Sequence, residues 1–310
     1  MILCCGEALI DMIPAPTGTG SDGFVPFSGG AVFNTAIALG RLGVPVGMVT
    51  GISSDMFGQQ LLVDLAASHV DAELVIRSDR PTTLAFVQLV DGQARYAFFD
   101  ENTAGRMLTP ADMPALPPSV SAVFFGGISL AVEPGASAYA DLAGRPRGDR
   151  VMMLDPNIRP GFIRDPVAYR ARINAMIALS DIVKISDEDL GWLYPPTVPM
   201  GDRVKALLAL GPAMVIVTKG KEGAEGWLSG GGHAEAPGHQ VIVADTVGAG
   251  DTFNAGVLAK LSDRGVLSRA VLRHLSVGDL SAALAHGSAA AAITVSRRGA
   301  NPPWAHEITD

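Results

Sequence analysis

Strand-length runs of consecutive apolar residues alternate along this chain with stretches in which apolar positions recur every three or four residues. Residues 2–10, 46–50, 120–125, 151–154, 182–185, 214–218 and 241–244 are runs of the first kind, the pattern of strands buried on both faces of a parallel sheet. Residues 31–42, 56–67, 167–179 and 252–261 have helical spacing, with Phe33, Ile37 and Leu39 marking the first and Leu61, Leu62 and Leu65 the second. Strands alternating with helices predict a doubly wound α/β architecture. One segment departs from this rhythm. Residues 82–90 and 94–99 are both β-rich and meet at Asp91-Gly92, a hairpin signal. With the Gly/Pro/Thr-rich residues 14–26 the hairpin predicts a small β extension, either a lid over the sheet's carboxyl edge or a surface hairpin without a role. No internal repeat or linker divides the 310 residues, so a single domain is expected.

Composition narrows the classes of function. Hydrophobic residues make up 48% and charged residues 17%, which leaves no disordered or coiled-coil character. A formal net charge of −8 without a Lys/Arg cluster argues against nucleic acid or an anionic membrane as partner. Any anion must be gripped locally. The only cysteines, Cys4 and Cys5, are adjacent in an apolar run and read as buried, reduced thiols. The N-terminal run lacks a basic leader and carries Glu7 and Asp11, so it does not read as a signal peptide, and no uninterrupted apolar run has transmembrane length. A cytoplasmic protein is expected.

Several strings offer chemistry. Gly18–Gly23, "GTGSDG", matches the dinucleotide fingerprint letter by letter, but Pro14 and Pro16 break the preceding strand and no helix follows, so it reads as a loop. "DTVGAGDTF", residues 245–253, has better context. A predicted strand precedes it and a helical pattern follows, so its glycines would aim free N–H groups at an anion. No lysine lies within it, which sets it apart from a P-loop. Asp251 would serve either as a helix cap or as a general base on an alcohol beside the held anion. Asp11 and Asn34 are groups that recognise vicinal hydroxyls, or else a turn residue and a core amide. Asn157 and Arg159 also follow a predicted strand. His233 and His239 fall in a Gly-rich loop without metal-ligand spacing.

Taken together, "SGGAVFNTAIALGRLG", "DTVGAGDTFNAG", "GEALIDMIP", "TTLAFV", "LDPNIRPG", "VKISDEDL", "VTKGKEG" and "AAAITVSRRGANPP" resemble, in order and spacing, the ribokinase-like (PfkB) carbohydrate kinases, and among them the bacterial fructokinases most. The resemblance spans nearly the whole chain. It implies a three-layer α/β/α sandwich with a mainly parallel sheet and a small β-sheet lid formed near residues 12–27 and 80–100. It implies transfer of a phosphoryl group from ATP to a sugar hydroxyl, with fructose and its 6-position as the expected acceptor. Asp251 would be the catalytic base, and the amides of Gly248, Ala249 and Gly250 the anion hole. Asp11, Gly29, Gly30, Asn34 and Arg159 match sugar-binding positions. Lys184 matches a position near substrate and phosphates, and Thr218, Gly220, Gly223 and Gly250 match the nucleotide side. Asp245 and Val247 match a loop that holds K⁺ in many relatives. Mg²⁺ would arrive with ATP in oxygen-poor surroundings, held mostly by water and phosphates, with Asp189 in indirect contact. A homodimer through the lid is a further implication. One element departs: the family's N-x-x-E appears as Ser186-Asp187-Glu188-Asp189, a variant that fructokinase-like members resemble more than ribokinases do and that reads as subgroup divergence. The alternatives are a 2-keto-3-deoxygluconate kinase, with Arg159 and Arg95 meeting the substrate carboxylate, and a non-catalytic sugar-binding regulator. The failed fingerprint disfavours a nicotinamide oxidoreductase.

Overall fold

A computed structural model describes residues 1–18, 20–90 and 93–308, without the side chains of residue 22 and residues 88–90 and 93–96. The hairpin turn expected at Asp91-Gly92 and the side chain of Arg95 lie outside the described residues. The main sheet has nine strands. In spatial order they are β15 (His233–Pro237), β14 (Gly223–Leu228), β13 (Met214–Thr218), β12 (Ile182–Ser186), β11 (Val151–Asp155), β10 (Ala122–Gly126), β1 (Ile2–Cys5), β4 (Val46–Val49) and β6 (Val70–Asp71). From β13 to β6 all pairings are parallel, and β14 and β15 close one side antiparallel.

The double burial read from the sequence has a direct cause. Along β1, Ile2 and Cys4 pack in one hydrophobic layer and Leu3 and Cys5 in the other, because successive side chains of a strand point to opposite faces. The first layer holds α1 (Ala31–Arg41), α2 (Met56–Ala67), α7 (Ala249–Asp263), α8 (Arg269–Leu272) and α9 (Val277–Val295). The second holds α3 (Gly135–Gly144), α4 (Pro166–Leu179), α5 (Asp187–Leu193) and α6 (Met200–Ala209). Helices on both faces of a mainly parallel sheet make the expected α/β/α sandwich. Cys4 and Cys5 are buried free thiols on opposite faces, and burial pushes both up in pKa.

A separate four-stranded sheet has the order β3 (Asp22–Gly29), β2 (Leu9–Pro16), β8 (Leu84–Val90) and β9 (Gln93–Phe99), and β5 (Gly51–Ser53) pairs with β7 (Ile76–Ser78). Two expectations are corrected. Residues 2–10 are not one strand: the chain leaves the main sheet after Cys5 and enters the small sheet at Leu9, since Glu7 is drawn into polar contacts between the two. Residues 241–244 form no strand, and Ile242 is 91% exposed. The amides of Ala244 and Asp245 both donate to the carbonyl of Val295 at the end of α9, so this segment docks on a helix terminus. The "GTGSDG" string sits at the tip of the β2–β3 hairpin, with Thr19 outside the described residues.

Candidate active site

The order of the main sheet reverses between β1 and β10: successive strands from β1 build towards β6, and from β10 they build towards β15. Ligand crevices of open α/β sheets form outside the strand carboxyl ends at such a switch point. Here the crevice opens into a cavity of about 890 Å³, lined by Glu7 after β1, Gly127 after β10, Asn157 and Arg159 after β11, Lys184 and Ser186 of β12, and Thr218 of β13. The small sheet contributes Leu9, Asp11 and Phe98, and the start of α7 contributes Gly248, Gly250 and Asp251.

The loop before α7 explains why its glycines are there. Gly248 has φ 78 and ψ −1, a left-handed conformation that glycine adopts without strain, and it is the N-cap of α7. The helix starts at once, so the amides of Gly250 and Asp251 have no intrahelical acceptor and point with the positive end of the macrodipole towards the cavity. Lys184 stands over the same turn, for a Cβ on Gly250 would lie 3.2 Å from its Nζ. The ammonium is 2.9 Å from Asp155 Oδ2, a buried pair, and that oxygen also accepts from Asn254 Nδ2 at 2.7 Å.

Asp251 lies in the first turn of α7 and is 7% exposed. Its Oδ2 accepts from Asn34 Nδ2 at 2.9 Å, and its carbonyl from Thr35 Oγ1 at 3.3 Å. Burial pushes its pKa up to about 7; Asn34 and Lys184 pull it down, and Asp155 and Glu7 push it further up. A carboxyl poised there can take a proton near neutrality. Asp11 stands on β2 opposite Phe27, and a Cβ on Gly29 would sit 2.2 Å from its Oδ2. Gly29 thus makes room for that carboxylate while lying outside the cavity lining. Burial pushes Asp11 up to about 6. Gly30 and Asn34 line the cavity beside it.

On the nucleotide side Thr218 and Gly220 line the cavity and Gly223 does not; a Cβ on Gly223 would meet the carbonyl of Ala236 at 2.1 Å. Ala249 and Asp245 also stand behind the lining, whereas Val247 is part of it. Asp245 Oδ1 accepts from the amide of Val247 at 3.1 Å and Oδ2 from that of Gly299 at 3.0 Å, so it joins two loops. Asp189 is capped by Ser186 Oγ at 3.0 Å, and burial, with Asp155 adding to it, pushes it up to about 6. Asp187, Glu188 and Asp189 all line this wall, so the surroundings are not oxygen-poor as expected. His233 sits on β15 beside Trp227, and its Nε2 is 3.4 Å from Glu225 Oε2 and 3.9 Å from Glu235 Oε1, with Lys219 also paired to Glu225.

The residues missed by sequence reading are Glu7, Asp155, Asn254 and the ring pair Phe98–Phe162, whose centroids are 4.2 Å apart at the cavity. For the first two a signal exists: each is a carboxylate just past the end of an apolar run or closing it.

The pfkB family carbohydrate kinase pattern matches residues 1–307. A fructokinase of Rhizobium leguminosarum bv. trifolii is 52% identical over 273 residues, which cover 87% of this chain and 82% of that protein. The crystal structure of a Xylella fastidiosa fructokinase with bound ATP superposes with a TM-score of 0.87 at 27% identity, covering 96% of this chain and 93% of that one. A double mutant of a Vibrio cholerae fructokinase, bound to fructose, ADP and potassium ion, shares the fold with a TM-score of 0.82 at 24% identity, covering 96% and 93%. The family pattern spans the chain and takes in both the glycine turn at α7 and the start of α1, so this protein belongs to the pfkB family of carbohydrate kinases.

Proposed function

We propose that this chain is an ATP-dependent fructokinase that transfers the γ-phosphoryl group to the 6-hydroxyl of fructose. The observation that carries the chemistry is the meeting at one helix start of a carboxyl tuned to about 7 and a turn of free amides under an ammonium. In this reading Asp251 takes the proton of the sugar hydroxyl as its oxygen bonds to the γ-phosphorus and the bond to the ADP oxygen breaks. The amides of Gly248, Gly250 and Asp251, with Lys184, stabilise charge on the transferred group, whereas that of Ala249 is taken by the carbonyl of Thr246 at 3.4 Å. Asp11, Gly30 and Asn34 hold the sugar, with Arg159 beside them, and Thr218 and Gly220 face the nucleotide. The whole chain acts as one kinase domain, and the four-stranded sheet is its lid, brought down by the Phe98–Phe162 contact to exclude water.

The identity of the sugar rests on the 52% relative and on charge. Acidic side chains around the cavity outnumber basic ones, seven (Glu7, Asp11, Asp100, Asp187, Glu188, Asp189, Asp251) to four (Arg106, Arg159, Arg164, Lys184). Arg106 is also paired with Asp100 at 3.0 Å. Such a cavity favours a neutral polyol over a keto acid.

Magnesium bound with ATP would neutralise charge on the phosphates, and Ser186 and Asp187–Asp189 supply oxygen donors suited to it directly or through water. A monovalent cation fits at Asp245, whose two oxygens already fix the loops on either side; potassium is bound in the Vibrio cholerae protein of the same fold. The outer face of the lid pairs two copies of the chain. The deciding assay is ADP release with fructose, ribose, glucose, adenosine and 2-keto-3-deoxygluconate, with and without K⁺. Fructose should give the highest kcat/KM; preference for the keto acid would reassign the substrate, and sugar binding without ADP release would make the chain a sensor.

A further inference from the structure

Glu7 follows β1 on one side of the switch point, and its carboxylate reaches across the crevice to the other. Oε1 accepts the amide of Ala31 at 3.1 Å, the first residue of α1, and Oε2 accepts the amide of Ser129 at 3.2 Å, in the short 3₁₀ turn Ile128–Leu130 after β10. Its backbone carbonyl accepts from Phe33 at 3.2 Å. The side chain is 8% exposed and borders the cavity. The neighbouring chain is shaped around it. Gly127 has φ 71, and a Cβ there would stand 1.9 Å from Oε1; a Cβ on Gly30 would stand 3.1 Å from Glu7 Cγ.

We propose that Glu7 is a positioning residue for phosphoryl transfer: by tying the start of α1 to the turn after β10, it fixes Asn34 and, through Asn34, the aim of Asp251. The connection is short. Asn34 donates its backbone amide to the carbonyl of Gly30 at 2.8 Å, one helical turn from the Glu7 contacts, and its side chain holds Asp251. The start of α1 and the turn after β10 lead to opposite faces of the sheet, and the Glu7 carboxylate bonds to both, alongside the backbone bond of Phe33 to Glu7 and that of Tyr139 Oη to the carbonyl of Gly6 at 3.1 Å. Only a carboxylate can make this tie. Both of its oxygens accept, whereas the amide of glutamine would turn an NH₂ group towards one of the two backbone N–H donors. A misplacement of about 1 Å at a reacting group can cost roughly 10²-fold in rate.

The inference rests on Asp251 as general base, and the test separates the two. Glu7→Gln, Glu7→Asp and Asp251→Asn are compared with wild type for kcat, KM for sugar and ATP, kcat against pH, and melting temperature. Glu7→Gln is expected to fold, to lose about 10- to 100-fold in kcat and to keep the KM for ATP. Its acid limb should move to lower pH, because one carboxylate facing Asp251 is gone while Asn34 on α1, Asp155 on β11 and Lys184 on β12 remain. Glu7→Asp keeps the charge and both acceptors but is shorter, so it should restore the pH limb and only part of the rate. A folded Glu7→Gln with wild-type kcat and pH limb overturns the proposal. If neither Glu7 variant folds, Glu7 is a folding determinant and the positioning role is equally lost. Full turnover by Asp251→Asn would instead sink the general-base reading, and a wild type inactive on every sugar would sink the kinase reading and the Glu7 role with it.

Discussion

The single most informative side chain is Asp251, because its chemistry and its contribution to stability point in opposite directions. Asp251→Asn should lower kcat by ~10²–10⁴ while the sugar KM changes little, and wild-type kcat/KM should rise with pH through about 7. The folded value lies above the 3.8 of a free aspartate, so folding favours the protonated form. That contribution is fully present below the unfolded value and is lost as pH rises through about 7. Asparagine does not ionise, so the variant should melt above wild type at pH 8.5 and the gap should close by pH 5. A variant that melts lower at pH 8.5, or is equally offset at both, would show that the carboxylate is not held at a cost. Lys184 is a poorer target. Removing it would leave Asp155 buried without its counter-charge, a loss of about 3–5 kcal/mol. That is a large share of the 5–15 kcal/mol typical of a folded domain, so lost rate and lost fold would be mixed.

At the scale of elements, the proposed lid closure turns on the contact of Phe98 on β9 with Phe162, in the turn Pro160–Phe162 after β11. The rings meet edge to face, an arrangement worth about 0.5–1.5 kcal/mol beyond burial. Phe162→Ala should therefore leave a lid that closes less often and admits water, raising ATP hydrolysis without sugar relative to sugar phosphorylation. Measuring ADP against sugar phosphate checks this, and an unchanged ratio would take Phe162 out of the closure. The elements themselves were largely legible. The pattern at residues 56–67 and 214–218 coincides with α2 and β13, because double burial and amphipathic spacing leave little choice. Residues 241–244 misled because apolar, β-branched residues look alike whether they pair in a sheet or, as Val241, Ile242 and Val243 do, stay exposed in a segment held by backbone bonds of Ala244 and Asp245 to Val295. The glycine turn of α7 was readable since a helix start needs only local sequence. Glu7 and Asp155 could be marked as carboxylates at the ends of apolar runs, but not their roles, because their partners are Ser129, Lys184 and Asn254, and nothing local in one sequence says which loops abut across a switch point.

At the scale of the whole molecule, the small sheet presents two unlike faces. Register places Asp11 and Phe98 on the side of the cavity, and Met12, Phe24, Phe86 and Phe99 on the other. On that outer side Phe24, Phe86 and Phe99 form a row, with centroids 5.0 Å and 5.4 Å apart. Phe24 is 46% and Phe99 60% exposed. The row runs between β3 and β9, which are both edge strands. Contiguous aromatic surface ending on open strand edges favours association, and in the proposed dimer a second copy offers the same apolar row to cover it. Burying a phenylalanine is worth about 1.5–3 kcal/mol, and each such contact occurs twice across a two-fold axis. If the proposed dimer forms, Phe99→Glu, which would place two carboxylates in its interface, should shift the protein from dimer to monomer in sedimentation velocity while its melting profile as a monomer stays cooperative. Because the same strand carries Phe98 over the cavity, the monomer should also bind sugar less tightly, with a raised KM. A wild type that sediments as a monomer at assay concentration would end the dimer, and a dimer unaffected by Phe99→Glu would place the interface elsewhere.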